Sequence, residues 1–157
     1  LGRIRVALGT DSTLTGNPSL FDEIRCAQQL KQIEPQQAIA MVTSTPADIF
    51  GIDKGVIEEG KAADLLLYDC EGQDPIDGFL RLNISKIKGL LRKGVPLYGD
   101  TSLVQLFRVS TGRYTGLEVF KKKKMVRGKL GGLMRRISQY LPSFDFNGLP
   151  IELDSAA

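Results

Sequence analysis

An apolar run that ends in glycine and a small polar cluster, Ala7-Leu8-Gly9-Thr10-Asp11-Ser12, constrains this chain more than any other stretch. Arg3-Ile4-Arg5-Val6-Ala7-Leu8 alternates and then becomes continuously apolar, the pattern of a strand with a wet start and a buried end. Gly9 permits an unusual backbone angle or close packing, so Thr10-Asp11-Ser12 is expected on the loop beyond that strand. A carboxylate at the exit of a buried strand stands where α/β folds gather their ligands. Asn17-Pro18 then opens a helix, with an acceptor at the cap and proline at the first helical position. Leu20, Ile24, Ala27 and Leu30 follow at helical spacing. Strand, loop and covering helix make one βα unit.

Further along, Glu34-Pro35 starts a second helix, and Thr45-Pro46-Ala47-Asp48 reads as a capping box for a short helix ending at Gly51. The period then changes. Gly55-Val56-Ile57 and Ala63-Asp64-Leu65-Leu66-Leu67-Tyr68 are expected as strands around a turn at Glu58-Glu59-Gly60-Lys61. Asp74 to Gly78 is turn-rich, and Ile84–Leu91 and Val95–Tyr98 are expected as strands around the tight turn Arg92-Lys93-Gly94. Leu103–Val109 and Gly116–Phe120 are further candidate strands, Gly128–Leu141 a basic amphipathic helix, and Ser143–Ala157 a loosely ordered end.

With 42% apolar and 25% charged residues in 157, the composition is that of a folded domain with a core, not a disordered chain. No apolar run approaches the roughly eighteen residues of a membrane span. The first residue is Leu1, and strand-like sequence follows at once, which suggests that something upstream was cut away or left out. Cys26 and Cys70 lack the spacing of a zinc knuckle and are expected as free thiols of a reducing, cytoplasmic compartment. Charge is uneven: Arg108 to Arg136 holds ten basic residues and only Glu118 as an acid, whereas residues 1–107 are net acidic.

Two motifs together resemble the metal-dependent amidohydrolase superfamily, of the cytosine deaminase and chlorohydrolase kind. Leu8-Gly9-Thr10-Asp11-Ser12 looks like the end of that family's eighth barrel strand, and Thr43-Ser44-Thr45-Pro46-Ala47-Asp48-Ile49-Phe50-Gly51 its helix-to-linker passage. The more specific signature is Gly55-Val56-Ile57-Glu58-Glu59-Gly60-Lys61-Ala62-Ala63-Asp64-Leu65, in which glycines serve turns and Asp64 is structural, facing inward on a strand. The resemblance covers about residues 1–100 and implies an α/β fold. Residues 1–52 would be the last βα unit of a TIM-type barrel with linking helices, and residues 53–100 the C-terminal strands of a small β-sandwich. Residues 101–157 would form a basic C-terminal extension.

The same resemblance implies a hydrolase of cyclic carbon–nitrogen compounds that holds a divalent metal, zinc or iron. Asp11 would be the strand-eight aspartate, a metal ligand or proton carrier, with Thr10 and Ser12 orienting the loop. The chain has no histidine, and a catalytic zinc takes about three protein ligands. The chain alone is therefore expected to be inactive and metal-free, as a fragment of the parent enzyme.

Other readings stand beside this one. Asp11 by itself is an ordinary turn or cap residue. The basic segment 108–136, with Lys121, Lys122, Lys123, Lys124 and Arg127, is either a solvated face or an anion-binding surface for nucleic acid or membrane. Exposed apolar edges would make the chain a non-catalytic oligomer, or the companion of a complementary N-terminal chain.

Overall fold

The fold is described from a computed structural model, over residues 4–12, 14–72, 74–109, 112–143 and 151–153. The chain divides into two compact units. One is drawn from the residues up to Asp64 with Asp69–Asn83, the other from Leu65–Tyr68 with the residues from Ile84 onward.

The first unit is helical. Helix α1 (Leu20–Gln29) is capped by Ser19, whose side chain accepts from the Asp22 N–H, so the helix starts two residues beyond the expected Asn17-Pro18. Asn17 instead donates from its backbone and side chain to Glu23. Helix α2 (Pro35–Ala40) follows its sequence signal, a capping box between Glu34 and Gln37 with proline in the first turn. Helix α3 (Ser44–Phe50) begins after Thr43, so Thr45 lies inside it rather than capping it. It ends at Gly51 in the left-handed conformation that favours glycine. Helix α4 (Pro75–Leu80) occupies a stretch expected as turns; Asp74 caps it by accepting from the Ile76 and Asp77 N–H groups. Helices α1, α2 and α4 pack together around buried Ile24, Ala27, Ala38 and Leu82. Phe21 and Phe79 meet edge to face, and Arg25 donates to the Leu82 carbonyl.

Residues 4–12 form no strand, contrary to the expectation for Arg3–Leu8, whose first residue lies outside the described set. Leu8 N–H donates to the Met41 carbonyl at 3.0 Å, while Ile4 and Val6 face solvent. A strand exists only through ladder partners, and none of the described strands pairs with this segment. Gly55-Val56-Ile57 is likewise an exposed loop.

The second unit is a six-stranded antiparallel sheet with α5 (Val104–Val109) packed on it. Its strands are β1 (Leu65–Tyr68), β2 (Ile87–Arg92), β3 (Val95–Asp100), β4 (Tyr114–Val119), β5 (Lys122–Arg127) and β6 (Ile151–Leu153), in the order β1-β2-β3-β5-β4-β6. Two tight hairpins set the register. Lys93-Gly94 joins β2 to β3 and Phe120-Lys121 joins β4 to β5, all four residues at positive φ as two-residue primed turns require. Leu103–Val109, expected as a strand, is a 3₁₀ turn followed by α5. From α5, Phe107 packs edge to face on Tyr114 at 4.9 Å, and the Tyr114 hydroxyl donates to the Pro96 carbonyl.

The sheet runs on past residue 100, through β4 and β5. A second sheet facing the first, as a sandwich needs, does not occur among the described residues. Helix α6 (Leu130–Tyr140) closes the basic segment as expected. Of the end expected to be loose, Ile151–Leu153 pairs with β4, and residues 144–150 and 154–157 lie outside the described set.

Candidate functional site

Asp11 opens a tight turn. Its φ of 52° is left-handed, a conformation aspartate tolerates better than most residues. The Ser12 carbonyl accepts from the N–H groups of Thr15 (3.2 Å) and Gly16 (2.7 Å), which closes the turn. The Thr15 hydroxyl donates to Asp11 Oδ2 at 3.0 Å and lies 2.9 Å from Ser12 Oγ. A threonine hydroxyl has one hydrogen, so with that hydrogen on the carboxylate it is Ser12 that donates to Thr15. The three side chains thus form a directed chain, Ser12 to Thr15 to Asp11. Thr10 enters through its backbone: a Cβ on Gly16 would lie 2.2 Å from the Thr10 carbonyl oxygen, so glycine is required there. Thr15 and Gly16 are the residues that sequence reasoning missed. Their signal is a hydroxyl four residues after an aspartate, followed by glycine, in a segment rich in turn formers.

The loop of the signature motif is held differently from expectation. Asp64 precedes β1 rather than lying on a strand, and its carboxylate accepts from Lys54. Lys61 pairs with Asp53, whose hydrogen bond holds the lysine above its usual pKa. Both pairs tie the start of the 53–64 segment to its end. Gly55, at φ 83°, passes so close to the Thr43 carbonyl that a Cβ would sit 2.5 Å from its oxygen. The motif is built for this close turn. Beside it lies an open, mainly apolar recess of about 330 Å³, lined by residues that include Val42, Pro46, Phe50, Ile52, Lys54 and Asp64; Asp11 does not line it.

The four consecutive lysines do not share one environment. Lys121, Lys122, Lys123 and Arg127 are exposed, but Lys124 is fully buried. Its ammonium donates to the Ile87 carbonyl at 2.7 Å and to the Asp100 carboxylate. Lys124 is therefore withdrawn from any external anion, a correction to its place in the expected cluster. Consecutive strand residues point to opposite faces, so four lysines in a row cannot all face solvent on one side of a sheet. Above this pair, burial, and then the Asp100 carboxylate, push the Tyr98 hydroxyl far above the usual tyrosine range.

The model of the amidohydrolase family matches residues 3–99. The chain belongs to the amidohydrolase family. This amidohydrolase chain is also similar to curated dihydroorotases. Those of Bacillus cytotoxicus and Bacillus cereus are each 43% identical over 42 residues, which is 27% of this chain and 10% of each relative. The dihydroorotase of Lactobacillus gasseri is 32% identical over 66 residues, covering 40% of this chain and 16% of the relative. The matched part spans about a tenth of the length of the Bacillus relatives. No solved structure matches the chain.

Amidohydrolases generally use a divalent metal. Among the described residues no three His, Cys, Asp or Glu side chains come together to hold one. A single exposed carboxylate does not fit a catalytic zinc site, which takes about three protein ligands. The described residues therefore do not by themselves fit the metal. Cys26 and Cys70 are free thiols. Among the described residues no helix is long and apolar enough to cross a membrane.

Proposed function

We propose that this chain is the C-terminal part of a cytoplasmic amidohydrolase that opens a carbon–nitrogen bond in a small cyclic substrate, as the name dihydroorotase describes for its relatives. One observation carries the reading: the family match over residues 3–99 includes an exposed carboxylate, Asp11, at the head of a hydroxyl-supported turn. In this reading the segment through Leu8 becomes the last barrel strand once neighbouring strands pair with it. Such strands, and the remaining ligands of a metal site, would come from residues outside this sequence. Asp11 then accepts a proton from the attacking water and returns it to the leaving nitrogen. The Ser12–Thr15 relay holds the carboxylate oriented for that transfer. Strands of the second unit would supply one layer of the accompanying sandwich.

The experiment compares the 157-residue chain with any longer gene product that contains it. We expect the isolated chain to bind no stoichiometric zinc or iron and to show no ring-opening activity. The longer protein should hydrolyse a cyclic amide, with Asp11→Asn lowering kcat by about 10²–10⁴ and changing KM far less. Tightly bound zinc on the isolated chain overturns the reading, as does full activity in Asp11→Asn.

A further inference from the structure

Residues 119–143 hold eight lysines and arginines and no acid, and they lie beyond the family match. Within them, α6 carries its apolar residues on one side: Leu130, Met134 and Ile137 along the centre, Leu133 and Tyr140 beside them. The central three are half-buried. The flank is not. Leu133 is 44% exposed, Tyr140 85%, and Leu141, just past the helix, 55%. Arg136 stands between Leu133 and Tyr140 on that ridge, three residues from one and four from the other, with Arg135 and Lys129 also exposed. At the β4–β5 turn the same chemistry recurs, with exposed Phe120 followed by exposed Lys121 and Lys122.

We propose that the Leu133–Arg136–Tyr140 ridge of α6 docks on an anionic lipid surface. Cations beside exposed apolar side chains match the boundary between charged headgroups and acyl chains, where each finds its own partner. Nucleic acid phosphates would satisfy the arginines but leave Leu133 and Leu141 in water. The helix is short and its central apolar line is half-buried, so the attachment is shallow and reversible. It is independent of the hydrolase reading.

The chain contains no tryptophan, so Tyr140→Trp places a single fluorescent reporter on the ridge. We expect its emission to shift to shorter wavelength on phosphatidylcholine vesicles containing phosphatidylglycerol, and not on phosphatidylcholine alone. Raising the salt should reverse the shift. Lys129→Gln with Arg136→Gln should weaken binding by roughly twenty-fold. Leu133→Ser with Leu141→Ser should abolish the shift while circular dichroism stays unchanged. Co-sedimentation of the unaltered chain with the same vesicles measures binding without any substitution. Equal binding to neutral vesicles, no binding to anionic ones, or tighter retention on duplex DNA that ignores the two serine substitutions would each overturn the proposal.

Discussion

The buried Lys124 ammonium is paired with the Asp100 carboxylate across the β3–β5 ladder, where the two residues stand directly opposite. Directly opposite residues share a face of the sheet, and Leu117 faces Lys124 from the other side on β4. The lysine is thus bracketed by its partner carboxylate and an apolar core residue. Lys88 adds a second contact to Asp100 at 3.1 Å.

Removing one member of a buried pair leaves the other charge uncompensated. We expect Asp100→Ala to destabilise the second unit by about 3–5 kcal/mol. Lys124→Met keeps the volume and leaves the less buried Asp100 with Lys88, so it should cost clearly less. Urea unfolding of the two variants, followed by circular dichroism, measures the difference. Equal losses would mean that desolvation of Lys124 is not what the carboxylate offsets.

Buried Thr115 holds the start of α6. Its hydroxyl donates to the Gly128 carbonyl at 2.7 Å and accepts from the Leu130 N–H at 3.1 Å. Thr115→Val preserves shape and strands both backbone groups, so stability should fall by about 1–3 kcal/mol. Thr115→Ser should stay near the parent. Amide exchange at Leu130 should quicken in the valine variant before the sheet itself loosens.

The Asp11 turn depends on a missing side chain. Gly16→Ala places a methyl against the Thr10 carbonyl, so the turn must open and the Thr15–Asp11 hydrogen bond must break. Large shifts of the Asp11 and Thr15 backbone resonances would report this. Thr15→Val removes only an exposed hydroxyl and should leave global stability within about 0.5 kcal/mol.

Asp22 couples the start of α1 to pH. The Ser19 hydroxyl is the main cause that holds its carboxyl below the ordinary aspartate value; partial burial opposes this and Arg25 adds to it. A lowered folded-state pKa means the contribution to stability is full above the ordinary value of 3.8 and is lost as pH falls through the lowered one. Ser19→Ala should bring the Asp22 midpoint back up, and it removes the helix cap at about 1 kcal/mol. Carboxyl NMR titration reads the first effect and thermal unfolding the second.

Local signals carried much of the fold. Proline and capping residues marked α2, Gly51 marked the end of α3, Lys93-Gly94 marked a hairpin, and the amphipathic period of α6 was readable despite two glycines. Where local signals were ambiguous, packing decided. Asp74 to Gly78 has turn residues but became α4, because Asp74 caps it and Gly78 is buried where the helices of that unit pack. Leu103–Val109 has strand composition but became α5, whose Phe107 covers the sheet rather than joining it.

The sequence by itself determined the family signature, the position of Asp11 at a turn, and the acidic and basic halves of the charge. All of these depend on residue type and short spacing. Tertiary structure alone decided that Ile4–Leu8 lacks a strand, that Ser12 reaches Asp11 through Thr15, and that one lysine of four is buried. The reason is physical: a strand needs a partner, a hydroxyl relay needs a closed turn, and the register of β5 between β3 and β4 selects which charge enters the core.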